Sequence, residues 1–526
     1  MKPNTYHRHF SPCRSLPHAL VVAALCLRAA PGLTSDLDTV GVTLLRQLDP
    51  TLNGSTVRVA QPEAPVSANA FEVNPSVAGL PVSTFSYFST SGSATTFPNA
   101  VGTESFHANG VGQLYYGPAQ GVATNVAHVD NYEANYFVSS VIFVNAAISA
   151  RIVNQSFVSA TSQQTFDTSY DNYAARFNTL FISGAGDSGP VLPPSTSYDG
   201  LGVGAFGGSS AVGPTTDNGR AKPDLTAPAS ATSFSTPLVA GSAAVLLQAA
   251  SRGDGGSDTN SAADIRTLKA LLLNGAIKPA DWTHPSPSPL DTRYGAGVLN
   301  LFNSYRQLVG GKHAFIASTS VTTGSAHPPT GATGNVSTLS GWDFNSVSSG
   351  VPTDGVNHYY FNLPNSPNNG AYTATLTLVW LRQNGQNSIN NLDLFLYNVT
   401  TGALIQSSLS TVDNVEHIYL NNLPPGRYDV QVLKHGGLGA LSISAAESYA
   451  LAFEFFQETL SVTRSNRNVT LAWPVYPAGF RLQACSSLLS PQNWTTVGTA
   501  PTVVGNQNQV TLIQPASNQY YRLIRP

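Results

Sequence analysis

KPDLTAPASATSFSTPLVAGSAAVLLQ, residues Lys222 to Gln248, sets a hydroxyl-rich segment directly before a long run of small and aliphatic residues. Pro237 suits the first turn of a helix, where a missing N–H costs nothing, and Val239 to Leu247 supply a helix-long apolar stretch. Ser233 therefore stands at the mouth of an apolar helix. Free backbone N–H groups and a partial positive charge collect at such an end, so an oxyanion formed by attack of Ser233 on a carbonyl would be stabilised there. Serine and threonine also cap helices with no chemistry attached. The rest of the chain has to decide between the two.

Ala231 to Gly241 resembles the serine signature of the subtilisin-like proteases, G-T-S-x-A-[TS]-P-x-V-A-G, with Ala231 where Gly is usual and Ser235 where Ala is usual. Lys222 to Pro228 looks like that family's lead-in. The resemblance implies an α/β fold, a subtilisin-like mostly parallel sheet flanked by helices, with an acid, a histidine and a serine arriving from distant segments.

Val57-Arg58-Val59-Ala60 alternates like a short strand between the turn Asn53-Gly54 and a turn expected over Gln61 to Pro65. In the family such a strand ends at the triad acid, and the aligned position is Glu63, with Asp49 as a rival. Gly102 to Gly112 resembles the histidine motif H-G-T-H-V-A-G, with His107 in the catalytic place and Ala108 and Gly110 replacing the usual Gly and second His. Gly121-Val122-Ala123, followed by Val126 to Val129, resembles the family's G-V-A-P segment entering a strand, and Arg151 to Phe157 its V-I-N-M-S-L strand. In the family the end of that strand pairs with the substrate backbone, which makes Ser156, Phe157 and Val158 the expected substrate-binding residues. Phe157-Val158-Ser159 stands where Gly-Gly often follows.

Leu180 to Gly189 looks like A-A-G-N-x-G, whose Asn donates to the oxyanion, but this chain has Asp187 there. An ionised carboxylate has no hydrogen to give; a protonated one does, and the related sedolisins, which work in acid, use an aspartate for this purpose. Asp187 and the Ser233 N–H are the expected oxyanion hole, favouring mildly acidic pH. Tyr198 to Ala205 resembles a buried family strand, Ser261 is expected to cap a helix ended by Gly275, and Tyr294 to Asn300 resembles the closing Y-G-x-G-x-V-N. The resemblance covers roughly residues 50 to 310.

At 526 residues, a net charge of −3 and 10% charged residues give no field for gripping nucleic acid or anionic lipid. Lys2, Arg8 and Arg14 before the apolar Ala19 to Leu27 and the small Ala29-Ala30 read as a secretory signal, too short for a permanent membrane span. Removing it with Cys13 and Cys26 would leave Cys485 and no internal disulfide, and Leu25 before Cys26 argues against lipid anchoring. Period-two runs at Tyr372–Leu381, Leu392–Val399, Val415–Leu420, Gly426–Val432 and Tyr449–Phe455 predict an antiparallel sandwich, similar to the jelly-roll modules of secreted subtilisin-like enzymes. Short strands from Leu460 onward look like a small fibronectin-type unit.

The expected organisation is a secretory signal and short leader (1–35), a subtilisin-like catalytic domain (36–312), a jelly-roll-like β-sandwich (313–457) and a small fibronectin-type-like β domain (458–526). The expected function is that of a secreted, monomeric serine endopeptidase acting on protein or peptide substrates through Glu63, His107 and Ser233. No cofactor or metal is expected, no carboxylate cluster having the spacing of a compelling calcium loop, although that spacing leaves calcium binding open, and no nucleic-acid partner or integral membrane segment is expected. The C-terminal modules would bind a cell surface or polymer. The competing class is a catalytically inactive scaffold for adhesion or peptide binding, favoured by Glu63, Gly110 and Asp187 and opposed by the retained His107 and Ser233.

Overall fold

Short apolar runs bounded by turn residues become one eight-stranded sheet: β1 (Arg58–Glu63), β2 (Phe85–Ser89), β3 (Gly92–Ala94), β4 (His128–Glu133), β5 (Ile152–Gln155), β6 (Leu180–Gly184), β7 (Leu201–Phe206) and β8 (Leu225–Pro228). The computed structural model describes residues 35–159, 163–365, 370–437, 442–457, 459–466, 468–488, 493–505, 507–513 and 519–524. The secretory signal read from the sequence lies outside them. The strand order is β8-β7-β6-β5-β1-β4-β2-β3, parallel throughout except where β3 returns beside β2. A parallel sheet is covered on both faces, and β5 and β6 are buried along their whole length. The chain builds rightward from β1 and then leftward, so the C-terminal end of β1 is a switch point, the crevice where open α/β sheets place their ligands.

Five longer helices accompany this sheet: α1 (Phe106–Tyr115), α2 (Gln163–Phe177), α3 (Thr232–Arg252), α4 (Ile265–Asn274) and α5 (Leu301–Val309). α3 is long and apolar enough to cross a bilayer, yet 89% of its apolar window is buried inside the protein.

Three local readings need correction. β1 continues through the expected turn to Glu63, because Gln61, Pro62 and Glu63 stay in register with Asn131, Tyr132 and Glu133. Pro62 is tolerated there because β5 pairs with β1 only at Val59 and Ala60, so no ladder bond is lost on that side. Pro237 lies in the second turn of α3 rather than the first. The cap of α4 is Asp264, whose carboxylate accepts the Arg266 N–H, while Ser261 belongs to a separate short turn, Thr259–Ala262.

The sandwich consists of β9 (Ala317–Thr322), β10 (Ser340–Ser348), β11 (Thr353–Leu363), β12 (Tyr372–Trp380), β13 (Leu392–Asn398), β14 (Leu404–Ser408), β15 (Val415–Leu423), β16 (Gly426–Lys434) and β17 (Ala446–Gln457). The sheets β9-β11-β16-β13-β14 and β10-β17-β12-β15 are antiparallel. β12, β13, β15, β16 and β17 are the five period-two runs; the other four carry too many Gly, Ser, Thr and Asn to show alternation. A smaller unit follows, with sheets β18-β19-β23-β22 and β21-β20-β24 built from Ser461–Ser465 (β18), Asn468–Pro474 (β19), Arg481–Cys485 (β20), Thr495–Thr496 (β21), Thr502–Val504 (β22), Gln507–Ile513 (β23) and Tyr520–Ile524 (β24).

These units share one core. Every residue of α4 from Thr267 to Asn274 is buried, as expected for a helix packed on both sides, and Thr375 and Thr377 of β12 both donate to Asn274 Oδ1 at 2.9 Å. The loop after β19 inserts Val475 and Ala478 into the same core, with the Ala478 N–H on Asn303 Oδ1 at 2.7 Å. Trp342 of β10 is 1% exposed, packs within the core of the α/β domain, and donates from Nε1 to the Leu308 carbonyl at 3.1 Å. Trp342→Ala is expected to cost about 3–5 kcal/mol, read as a lower Tm in calorimetry. An unchanged Tm would mean the sandwich does not support the α/β domain.

Candidate active site

Strand alternation puts Gln61 and Glu63 on one face of β1, and both are fully buried at the end of the strand. α1 starts beside them, its Ser105 cap accepting the Ala108 N–H at 3.2 Å, and this sets His107 in the first turn. His107 Nδ1 is 2.8 Å from Glu63 Oε2. The His107–Glu63 hydrogen bond holds His107 above the ordinary histidine range, against burial, and Asp187 adds to the rise. Burial pushes Glu63 up, while its hydrogen bonds with His107 and Gln61 pull it back.

Ser233 occupies the first turn of α3. The next residue, Phe234, lays its ring 5.9 Å from the His107 ring, and a Cβ at Gly110 would sit 3.1 Å from Phe234 Cε1. Gly110 and Phe234 therefore go together: the ring crowds the place where the family motif carries its second histidine. Pro237 has no N–H for the Ser233 carbonyl, and the Ser156 hydroxyl takes over, donating to that carbonyl at 2.9 Å. In return Ser233 Oγ donates to the Ser156 carbonyl at 3.4 Å. Asn154 Nδ2 holds Ser156 Oγ at 3.1 Å.

Ser156, Phe157 and Val158 leave the sheet just past β5, Ser156 buried and Val158 42% exposed. Asp187 lies at the opening of α3. Ala231 offers no side-chain cap, and Asp187 Oδ1 supplies it from another loop, accepting both the Thr232 N–H and the Thr232 hydroxyl at 2.8 Å. Asp49 is elsewhere: it pairs with Arg252 at 2.7 Å, at the far end of α3 and about 28 Å along the helix from Ser233. The lead-in is a buried pillar, Asp224 bridging Lys222 at 2.5 Å and Lys269 at 3.1 Å, with burial pushing Lys222 down to about 8.

The structure thus joins Glu63 to His107 and brings Ser233, Asp187 and Ser156 together at the opening of α3, where Phe234, the residue after Ser233, meets the His107 ring. In this arrangement the Ser233 hydroxyl is turned toward Ser156. Among the described residues, no group of three or more His, Cys, Asp or Glu is arranged to hold a metal ion. Gln61 is not visible as a site residue in the sequence, where Gln61 to Pro65 reads as a turn; the available signal is a polar residue two positions before the acid.

Residues 120–297 match the subtilase family. This chain carries a subtilase domain. The match contains Ser156, Asp187 and Ser233, while Glu63 and His107 precede it, and it supports a serine-type peptidase. Among solved structures, the chain is similar to a PatG macrocyclase in complex with peptide, at 17% identity and a TM-score of 0.37 over 52% of this chain and 98% of that one. It is also similar to tripeptidyl peptidase 2, at 13% identity and a TM-score of 0.31 over 73% of this chain and 43% of that one. No curated protein matches the chain.

Proposed function

We propose that this subtilase is a secreted serine endopeptidase. The observation that carries the reading is the 2.8 Å hydrogen bond between the buried Glu63 and the part-exposed His107, whose ring meets Phe234 in the first turn of the helix that bears Ser233. Rotation of the Ser233 hydroxyl away from Ser156 frees it for His107 Nε2, which removes its proton as Oγ attacks a peptide carbonyl. The tetrahedral oxyanion is met by the Ser233 N–H at the positive end of α3. His107 then protonates the leaving amine, the C–N bond breaks, and water hydrolyses the acyl-serine by the same route in reverse. Glu63 fixes the imidazole tautomer and stabilises the imidazolium. Ser156, Phe157 and Val158 would pair with the substrate backbone, and the C-terminal modules would tether the enzyme to a surface or polymer.

A second reading, an inactive peptide-binding scaffold, is favoured by the Ser233 hydroxyl pointing at the Ser156 carbonyl and by the carboxylate of Asp187 at the oxyanion position. A fluorophosphonate probe separates the two. Stoichiometric modification of Ser233 supports the enzyme; no modification between roughly pH 4 and 9 supports the scaffold.

The oxyanion role of Asp187 has its own test. Asp187→Asn replaces an acceptor with a donor and is expected to raise kcat at neutral pH by about a hundredfold or more, the usual worth of one oxyanion donor, with a smaller gain in acid. A pH–rate profile in which the variant shows no relative gain at neutral pH would remove Asp187 from the oxyanion hole.

A further inference from the structure

A glutamate in the triad position carries one more rotatable bond than an aspartate, and something must hold its carboxylate still. Gln61 lies two residues earlier on the same face of β1, with its amide buried. Its Nε2 uses both hydrogens, one on Glu63 Oε1 at 2.9 Å and one on the Ala108 carbonyl at 3.0 Å. Its Oε1 accepts from the Tyr116 hydroxyl at 2.6 Å. A flipped amide would turn its oxygen toward the carboxylate and the carbonyl and its hydrogens toward the phenol, so the three bonds allow one orientation only.

Ala108 directly follows His107, so the Gln61 amide ties the carboxylate to the backbone of the helix turn that carries the imidazole. The two oxygens of Glu63 are divided between them, Oε2 for His107 and Oε1 for Gln61. Tyr116, at the end of α1, closes the arrangement from the opposite side and is fully buried. Resting on the peptidase reading above, we infer that Gln61, held by Tyr116, is a positioning residue that sets the Glu63 carboxylate for His107.

The test uses the full chain, with Gln61→Met as a variant of similar shape that lacks the amide, and Tyr116→Phe as a milder one. Three quantities are read: fluorophosphonate labelling of Ser233, the acid limb of its pH profile, and the 1H NMR resonance of His107 Nδ1–H. Losing a hydrogen bond to a buried charge is expected to slow labelling about ten- to a hundredfold in Gln61→Met. The acid limb should move to lower pH, because a carboxylate no longer set squarely on Nδ1–H raises His107 less, and the Nδ1–H resonance should shift upfield or broaden. Tyr116→Phe should move all three the same way by less, and it carries the test if Gln61→Met does not fold. Labelling within about twofold of wild type with an unmoved acid limb overturns the inference and leaves the peptidase intact. A wild type that never labels, yet whose Nδ1–H resonance responds to Gln61→Met, upholds the positioning network and overturns the peptidase reading. An Nδ1–H resonance indifferent to both variants overturns the network in either case.

Discussion

Ser233→Ala is expected to abolish fluorophosphonate labelling and to lower peptide hydrolysis by about six orders of magnitude, the scale of loss when a serine–histidine pair is broken. The fold should survive, because Ser233 is only part-buried and its helix is anchored by the buried run from Ser235 to Ala250. The Ser156 hydroxyl would still satisfy the backbone carbonyl at position 233, which the substitution leaves in place. His107→Ala should lose a similar amount, and the double variant little more, since the two groups act as one unit. Residual hydrolysis at a tenth of the wild-type rate in purified Ser233→Ala would show that another nucleophile does the work.

Glu63→Gln is the second large effect. It keeps the shape of the side chain and removes its charge, so the imidazolium formed as Ser233 attacks loses its counter-ion; kcat is expected to fall about ten-thousandfold. The pH dependence has a definite sign. Hydrogen bonding to Glu63 raises His107 in the wild type, whereas burial lowers it. Without the carboxylate, burial outweighs the smaller raising effect of Asp187, and the acid limb of the kcat/KM profile should move to lower pH. Stability follows the same linkage in the opposite sense. A histidine raised on folding stabilises the protein below its unfolded pKa and loses that contribution as pH climbs through the folded one. The Glu63–His107 pair therefore stabilises most in acid, while neutral His107, the form needed as a base, accumulates as that stabilisation fades. An acid limb unmoved in Glu63→Gln would mean that Glu63 is not the partner of the titrating group.

How much was legible in the sequence follows from how local each signal is. The serine segment is readable because a hydroxyl before an apolar helix is a short-range pattern, and the five sandwich strands because one face of each carries the apolar core residues and the other polar ones, even where, as in β12, both faces are buried. Pro237 was misplaced by a turn because its cost depends on a partner in another segment: the Ser156 hydroxyl that makes it tolerable comes from the chain beyond β5. Gly110 reads as a missing histidine in the sequence, and only the folded chain supplies the reason, the Phe234 ring crowding its place.

By itself the sequence determined the α/β domain and its β modules, the candidate nucleophile and the order of acid, histidine and serine along the chain, all of which are written in neighbouring residues. Only the tertiary structure decided that Glu63 rather than Asp49 reaches His107, that Asp187 caps the helix Ala231 cannot, and that Gln61 grips the carboxylate. The first two are hydrogen bonds between residues brought together by sheet pairing and helix packing, and the third, though only two residues apart on β1, needs the Ala108 carbonyl and the Tyr116 hydroxyl to orient the amide; no local pattern encodes which distant group a buried side chain will find.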